Sequence, residues 1–245
     1  MARLSVNLNK VALLRNSRRT GVPDLGRFAR IALEAGAEGL TVHPRPDERH
    51  IRASALPMLA ALMARHRPAI ELNVEGYPDD RLMELLREVR PEQTTLVPDA
   101  PGAFTSEEGW KLDEEQMGIV AAELPTIRAM RSRLILFVDP DPAVCARVRE
   151  VGADGIEIYT GGYAAAFKKG QHRPILDAIA KTAAAADSLG LVVNAGHDLN
   201  LRNIPELVAA VPMLAEASIG HELTADALEM GFAAAVSAYA KALRG

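Results

Sequence analysis

One cysteine, Cys145, stands among 245 residues. No internal disulfide can form, and such sparing use fits a reducing compartment. Cys145 lies within a helical pattern, PAVCARVREVG, and reads as a small packing residue rather than a nucleophile. No excess of basic charge is present: 28 lysines and arginines face 32 acids, for a net charge of −4. This argues against a general nucleic-acid binder. No apolar run approaches the roughly 20 residues of a membrane span. The opening MARLSVNLNK has no long apolar core before a cleavage site, so a signal peptide is not expected. These absences predict a cytoplasmic protein without nucleic-acid or membrane partners. Linkers, low-complexity stretches and long charge runs are also missing, so nothing marks a second domain.

Short β-like runs alternate with amphipathic helical patterns from end to end. The runs are Leu4–Asn9, Gly39–His43, Ala69–Asn73, Thr94–Val97, Leu134–Val138, Gly155–Tyr159, Leu191–Asn194 and Ala217–Ile219. Strand–helix alternation indicates a parallel sheet. Eight units in this length predict an α/β fold, a single (β/α)₈ TIM barrel over residues 1–245. A junction recurs, EAGAEGLTVH (Glu34–His43) and EVGADGIEIY (Glu150–Tyr159). Each reads as a helix end, a tight turn and a new strand. The longest irregular stretch, Pro98–Trp110, reads as a lid or as an exposed crossover.

In a barrel the C-terminal strand ends build the active site, and polar residues gather at those ends. Strand one delivers Asn7 and Asn9. Strand two ends in His43, followed by Arg45, Arg49 and His50. Strand three carries Glu71 and Asn73, strand five ends in Asp139, and strand six carries Glu157 and Tyr159. Strands seven and eight close on Gly196-His197 and Gly220-His221. Glycine lets the backbone approach a ligand, and histidine exchanges protons near neutral pH. Glu71 and Glu157 interrupt apolar strand runs, where an unpaired carboxylate is costly. Each is an acid–base group or a core acid paired with arginine or lysine. Lys10, Arg15, Arg18, Arg19, Arg45 and Arg49 form a basic group suited to phosphate. Amide groups around Gly220 suit a second one. No zinc spacing is present, and the first strand has Asn7-Leu8-Asn9 where metal-dependent barrel hydrolases often have His-x-His. No metal site is expected.

The order and spacing of VNLNKVALLRNSR (Val6–Arg18), GLTVHPRPDERHI (Gly39–Ile51), IEL (Ile70–Leu72), LVPD (Leu96–Asp99), IEIYTGGYA (Ile156–Ala164), VNAGHDL (Val193–Leu199) and SIGH (Ser218–His221) resemble the pyridoxine 5′-phosphate synthase family. The resemblance implies a barrel enzyme without metal or organic cofactor, and a homo-oligomer, an octamer built from dimers. It implies condensation of 3-amino-2-oxopropyl phosphate with 1-deoxy-D-xylulose 5-phosphate to pyridoxine 5′-phosphate, phosphate and water. Residue by residue, His43 and Glu71 match the proton acceptors and His197 the donor. Asn7, Arg18, Gly220 and His221 match contacts to the aminoketone phosphate. Arg45, His50 and Thr105 match contacts to the deoxyxylulose phosphate, and Glu157 matches a carboxylate in the site. Many members read Asn-Ile-Asp-His where this chain has Asn7-Leu8-Asn9-Lys10, so Asn9 and Lys10 replace two deoxyxylulose contacts. Asp198 stands in place of a common glycine, and Glu222 adds another acid beside the second pair. Two other readings of the same residues are a different phosphate-binding isomerase or aldolase barrel, and a barrel that binds a phosphometabolite without turnover. A Schiff-base aldolase would want a lysine within a strand, and none of the eight runs has one.

Overall fold

The computed structural model describes residues 1–99 and 108–245. Eight parallel strands, β1 (Arg3–Asn7), β2 (Gly39–Val42), β3 (Glu71–Gly76), β4 (Gln93–Leu96), β5 (Arg133–Val138), β6 (Gly155–Tyr159), β7 (Val192–Gly196) and β8 (Glu216–Ile219), close in sequence order into a barrel. The helices described are α1 (Asn9–Asn16), α2 (Leu25–Glu34), α3 (Ala55–Met63), α4 (Asp80–Val89), α5 (Glu114–Ala129), α6 (Val144–Glu150), α7 (Gly161–Lys168), α8 (Arg173–Ser188), α9 (Ile204–Ala210), α10 (His221–Met230) and α11 (Phe232–Arg244). This is the expected (β/α)₈ architecture. No helix among the described residues is long and apolar enough to cross a membrane.

Local chemistry starts and stops these elements. Asp24, Asp79 and Asp113 each cap a helix, accepting hydrogen bonds from the amides of Arg27, Leu82 and Gln116. Such caps satisfy amides that the helix leaves unpaired. In the recurring junction, Gly36 and Gly152 take φ of +104° and +87°, which a side chain would strain. Asp154 then accepts from the Leu134 amide and from Arg128, tying the new strand to its neighbour.

The two faces of the barrel strands differ sharply. Outward residues such as Leu4, Val6, Leu40, Val42, Leu72, Val74, Leu134 and Leu136 are fully buried under the helices. Apart from Ile135 and Phe137 of β5, many inward residues are polar and hydrogen-bonded to each other. Ser5 and Thr41 lie 2.6 Å apart, Thr95 donates to Asn73 and Gln93 donates to Glu216. Asn194 donates to Gln93. A polar interior survives because its members pair with one another.

Two strand boundaries move the expected site. β1 ends at Asn7, and Asn9 and Lys10 open α1 instead of continuing the strand. β3 begins at Glu71 rather than Ala69 and runs to Gly76. Asn73 pairs in register with Thr41 and with Gln93. Glu71 therefore enters the barrel at the N-terminal ends of the strands, and the inward face of β3 carries Glu75 to the C-terminal ends. Alternation along a strand places residues 71, 73 and 75 on one face.

Candidate active site

The C-terminal strand ends surround a cavity of about 290 Å³. Asn7, Asn9, Lys10, His43, Arg45, His50, Glu157, His197, Asp198, Gly220 and His221, all expected from the sequence, line it together with Glu75, Ser218 and Glu222. Two expected residues do not. Glu71 sits at the opposite end of the barrel. There Arg133 holds it with two bonds of 2.7 and 2.6 Å, and Arg3 adds a third at 3.3 Å. Burial opposes ionisation of Glu71, but the Arg133 bonds and charge win and hold its carboxyl below the usual value. Of the two sequence readings of Glu71, the core acid paired with arginine is the one its position supports. Arg18 is exposed, lies past the C-terminal end of α1 and is outside the cavity wall. Thr105 lies outside the described residues.

Glu75 occupies the place expected for Glu71. It is buried at the end of β3, with Asn7 Nδ2 at 3.4 Å, His43 Nδ1 at 3.9 Å and a hydrogen bond to Ser218. Burial, reinforced by Asp99 and Glu216, outweighs the nearby Arg45 and pushes its pKa from 4.5 to about 7. The signal for this residue was present in AIELNVEG: Glu71, Asn73 and Glu75 alternate, and the Gly76-Tyr77-Pro78 turn marks the strand end beside Glu75.

The loop after β2 presents His43, Arg45 and His50, all buried. Asn9 Oδ1 accepts from the His43 amide at 2.9 Å, and Asn7 Oδ1 accepts from the Asn9 amide at 3.0 Å. Asn9 thus ties the ends of β1 and β2 together while lining the cavity. Arg81 of α4 donates to the Pro44 carbonyl at 2.6 Å and holds the loop from behind. Burial, then Arg45, His50, Arg49 and Arg81, hold His43 far below the usual histidine range, so it is neutral at pH 7. His50 falls to about 4, through burial and the charges of Lys10, Arg49 and Arg45. Arg45 pairs with Asp99 at 2.6 Å. Lys10 is lowered by burial and by Arg49, with Asp198 opposing. Such convergent cationic and neutral donors form a strong field for an anion.

Glu157 is buried on β6, and burial together with Glu75 and Glu216 raises its pKa far above the usual range. Burial thus favours its protonated form, which is able to donate a hydrogen bond. Gly196 lies against it: a Cβ there would meet Glu157 Oε1 at 2.1 Å. The next residue, His197, stands with φ of +90°, and Asp198 with φ of +55°. The His197 ring packs edge-on against Tyr159 at 5.2 Å. A hydrogen bond from His197 and its charge hold the Asp198 carboxyl below its usual pKa, against burial; His221 and Lys168 add to this. Gly220 caps α10 without a side-chain bond, leaving the first-turn amides at the cavity edge. A Cβ on Gly220 would crowd Asn7 at 3.0 Å. Helix amides so placed favour a phosphate, with Glu222 in the same turn as an opposing charge. Perturbed acids, neutral histidines and two anion-favouring rims meet in one cavity, as sites of proton-transfer chemistry do.

Known proteins point the same way. The family described as pyridoxal phosphate biosynthesis protein PdxJ matches residues 4–245. A protein of Chelativorans sp. named pyridoxine 5′-phosphate synthase is 50% identical over 243 residues, covering 98% of each chain. One of the same name from Allorhizobium ampelinum is 47% identical over 247 residues, covering 98% of this chain and 97% of the other. Among solved structures, tryptophan synthase from M. tuberculosis superposes with a TM-score of 0.66 at 14% identity, over 100% of this chain and 93% of that one. That likeness speaks to the fold alone. With the match running along almost every residue and relatives about half identical across their whole length, the chain belongs to the PdxJ family of pyridoxal phosphate biosynthesis proteins.

Proposed function

We propose that this chain is a pyridoxine 5′-phosphate synthase, joining 3-amino-2-oxopropyl phosphate to 1-deoxy-D-xylulose 5-phosphate and releasing phosphate and water. The family match over residues 4–245 carries this reading. Amine addition to a ketone, dehydration, phosphate loss and ring closure each move protons, and each positioned acid or base contributes roughly 10²–10⁴-fold. In this reading His43, neutral at pH 7, and Glu75 are proton acceptors and His197 is the donor. Glu157 donates a hydrogen bond as a neutral acid. Asn7, Gly220 and His221 hold the aminoketone phosphate. Lys10, Arg45 and His50 hold the deoxyxylulose phosphate, with Asn9 aligning His43 beside them and Thr105 as a further contact. Asp198 keeps its backbone amide for substrate while its carboxylate stays on His197. The chemistry uses side chains of one barrel domain, residues 1–245, with no metal or organic cofactor. Exposed Leu14 and Leu228, 54% and 81% accessible, support assembly into a homo-oligomer, and the octamer suggested by the family is part of the proposal. So is a cytoplasmic location.

Purified protein supplied with both substrates tests the activity. Pyridoxine 5′-phosphate and inorganic phosphate should appear together in equal amounts. Binding of both substrates without product would leave the phosphometabolite-binding alternative.

Two results follow for this site. The first is a pH dependence. Glu75 acts as a base only when ionised, and its pKa is raised to about 7. Below pH 7, kcat/KM should therefore fall tenfold per unit, while neutral His43 adds no limb there because its pKa lies far lower. A flat profile from pH 5.5 to 8 would exclude Glu75 as the titrating base. The second concerns Lys10. Losing a charge-assisted hydrogen bond typically costs about 1.5–3 kcal/mol, or roughly 10- to 150-fold in affinity. Lys10→Ala should raise KM for the deoxyxylulose phosphate by that factor and leave KM for the aminoketone within about threefold. Equal effects on both substrates would remove Lys10 from that subsite.

A further inference from the structure

We propose that Thr160 is a positioning residue that sets the backbone of His197; this rests on reading His197 as the proton donor. Thr160 follows β6 and is wholly buried. Its hydroxyl lies 2.6 Å from the Gly196 carbonyl and 2.6 Å from the His197 carbonyl. Its amide donates to the Gly196 carbonyl as well, at 2.9 Å. One residue thus grips both peptide units that carry His197 out of β7. That grip falls on an unfavourable conformation. His197 and Asp198 are consecutive non-glycine residues with φ of +90° and +55°, a region that side chains disfavour. Such geometry persists only where its surroundings over-determine it.

The neighbouring residue completes the clamp. Tyr159 packs its ring edge-on against the imidazole at 5.2 Å, so the end of β6 holds His197 by ring and by backbone. Register explains the reach: Tyr159 pairs with Gly196, and Ile158 with Ala195. Thr160 is therefore one step beyond the last ladder pair, beside the point where β7 turns into the cavity. A hydroxyl serves there and a methyl does not, because valine keeps the amide bond to the Gly196 carbonyl but loses the hydroxyl bond that reaches the His197 carbonyl. Without that donor the 197–198 peptide relaxes, and the imidazole leaves its place against Tyr159 and Asp198. A displacement near 1 Å of a reacting group costs on the order of 10²-fold in rate.

A double-mutant cycle tests this. His197→Asn alone should lower kcat at least about 100-fold. Thr160→Val should lower kcat at least about tenfold, with KM for both substrates within about threefold of the parent. Thr160→Ser, which keeps the hydroxyl, should restore most of kcat. In the His197→Asn background, Thr160→Val should cost less than about twofold more, because Thr160 acts through the side chain already removed. If Thr160→Val does not fold, Thr160→Ala, which adds no bulk, carries the same expectations. A Thr160→Val loss of equal factor in both backgrounds, or none in either, would overturn the positioning role while His197 stands. Near-normal turnover in His197→Asn would overturn the donor reading first and the role of Thr160 with it. A Thr160→Ser enzyme as impaired as Thr160→Val would show that the methyl packing matters and the hydroxyl does not.

Discussion

Glu75→Gln should lower turnover at least about 100-fold, the lower range for removing an acid–base group, while Glu71→Gln leaves it within a few-fold. The two glutamates share one strand face yet face opposite ends of the barrel. Glu75 looks into the cavity and sits 3.9 Å from His43. Glu71 is bound to Arg133 and Arg3 at the closed end. Stability should respond in the opposite order. Breaking a buried ion pair costs roughly 3–5 kcal/mol when both charges are deeply buried. The Arg133 and Arg3 side chains are 34% and 32% exposed, and glutamine keeps part of the bonding, so about 1–2 kcal/mol is expected. That lowers Tm by several degrees at this chain length.

Glu75→Gln removes a carboxyl whose folded pKa is raised from 4.5 to about 7. A raised carboxyl favours the fold at low pH, and that advantage disappears as pH climbs from 4.5 through 7. Above pH 7 the variant should therefore be at least as stable as the parent, and below pH 4.5 it should gain nothing. Calorimetry at pH 4 and pH 8 with initial rates on both variants measures all four quantities. An active Glu75→Gln, or an inactive Glu71→Gln with an unchanged Tm, would return the base role to Glu71.

Gly196→Ala should be nearly as damaging as loss of an acid–base group. An added Cβ would stand 2.1 Å from Glu157 Oε1 and 3.0 Å from its Cδ. That separation is impossible, so Glu157 or β7 must move. Overpacking of this kind costs about 1–3 kcal/mol. The catalytic effect should be larger, because Glu157 lies on one side of Gly196 and His197 follows it on the other. Misplacing both by a fraction of an ångström to 1 Å should cost 10² or more in kcat. Glu157→Ala in the same chain should relieve the clash, restoring Tm but not kcat, whereas Gly162→Ala, with nothing within 4 Å of its Cβ, should be silent. Full activity in Gly196→Ala would mean that the Glu157 carboxyl position is immaterial.

The period of the elements is legible in the sequence. Alternating short strands and amphipathic helices dictate a parallel sheet, and eight units leave a closed barrel as the compact way to bury every strand. The strand-end residues followed from the same logic. His43, Arg45, His50, His197 and His221 lie in segments that follow strand ends and line the cavity. Where a strand begins was not legible. AIELNVEG alternates equally well as a strand ending at Asn73 or one reaching Gly76. Alternation fixes the face of each residue and says nothing of depth along the barrel axis. Depth is set by pairing with neighbouring chains, Gly39 with Glu71 and Asn73 with Gln93, which are remote in sequence. Three residues of difference decided that Glu71 is an arginine-bound core acid and Glu75 the carboxylate at the cavity. The same limit hid Thr160, whose partners are 36 and 37 residues away, and displaced Arg18, which lies past the C-terminal end of α1. Residue type, period and spacing determined this protein's fold and the kinds of group at its site. Long-range register, which local periodicity cannot encode, determined which of two like carboxylates meets the substrate cavity.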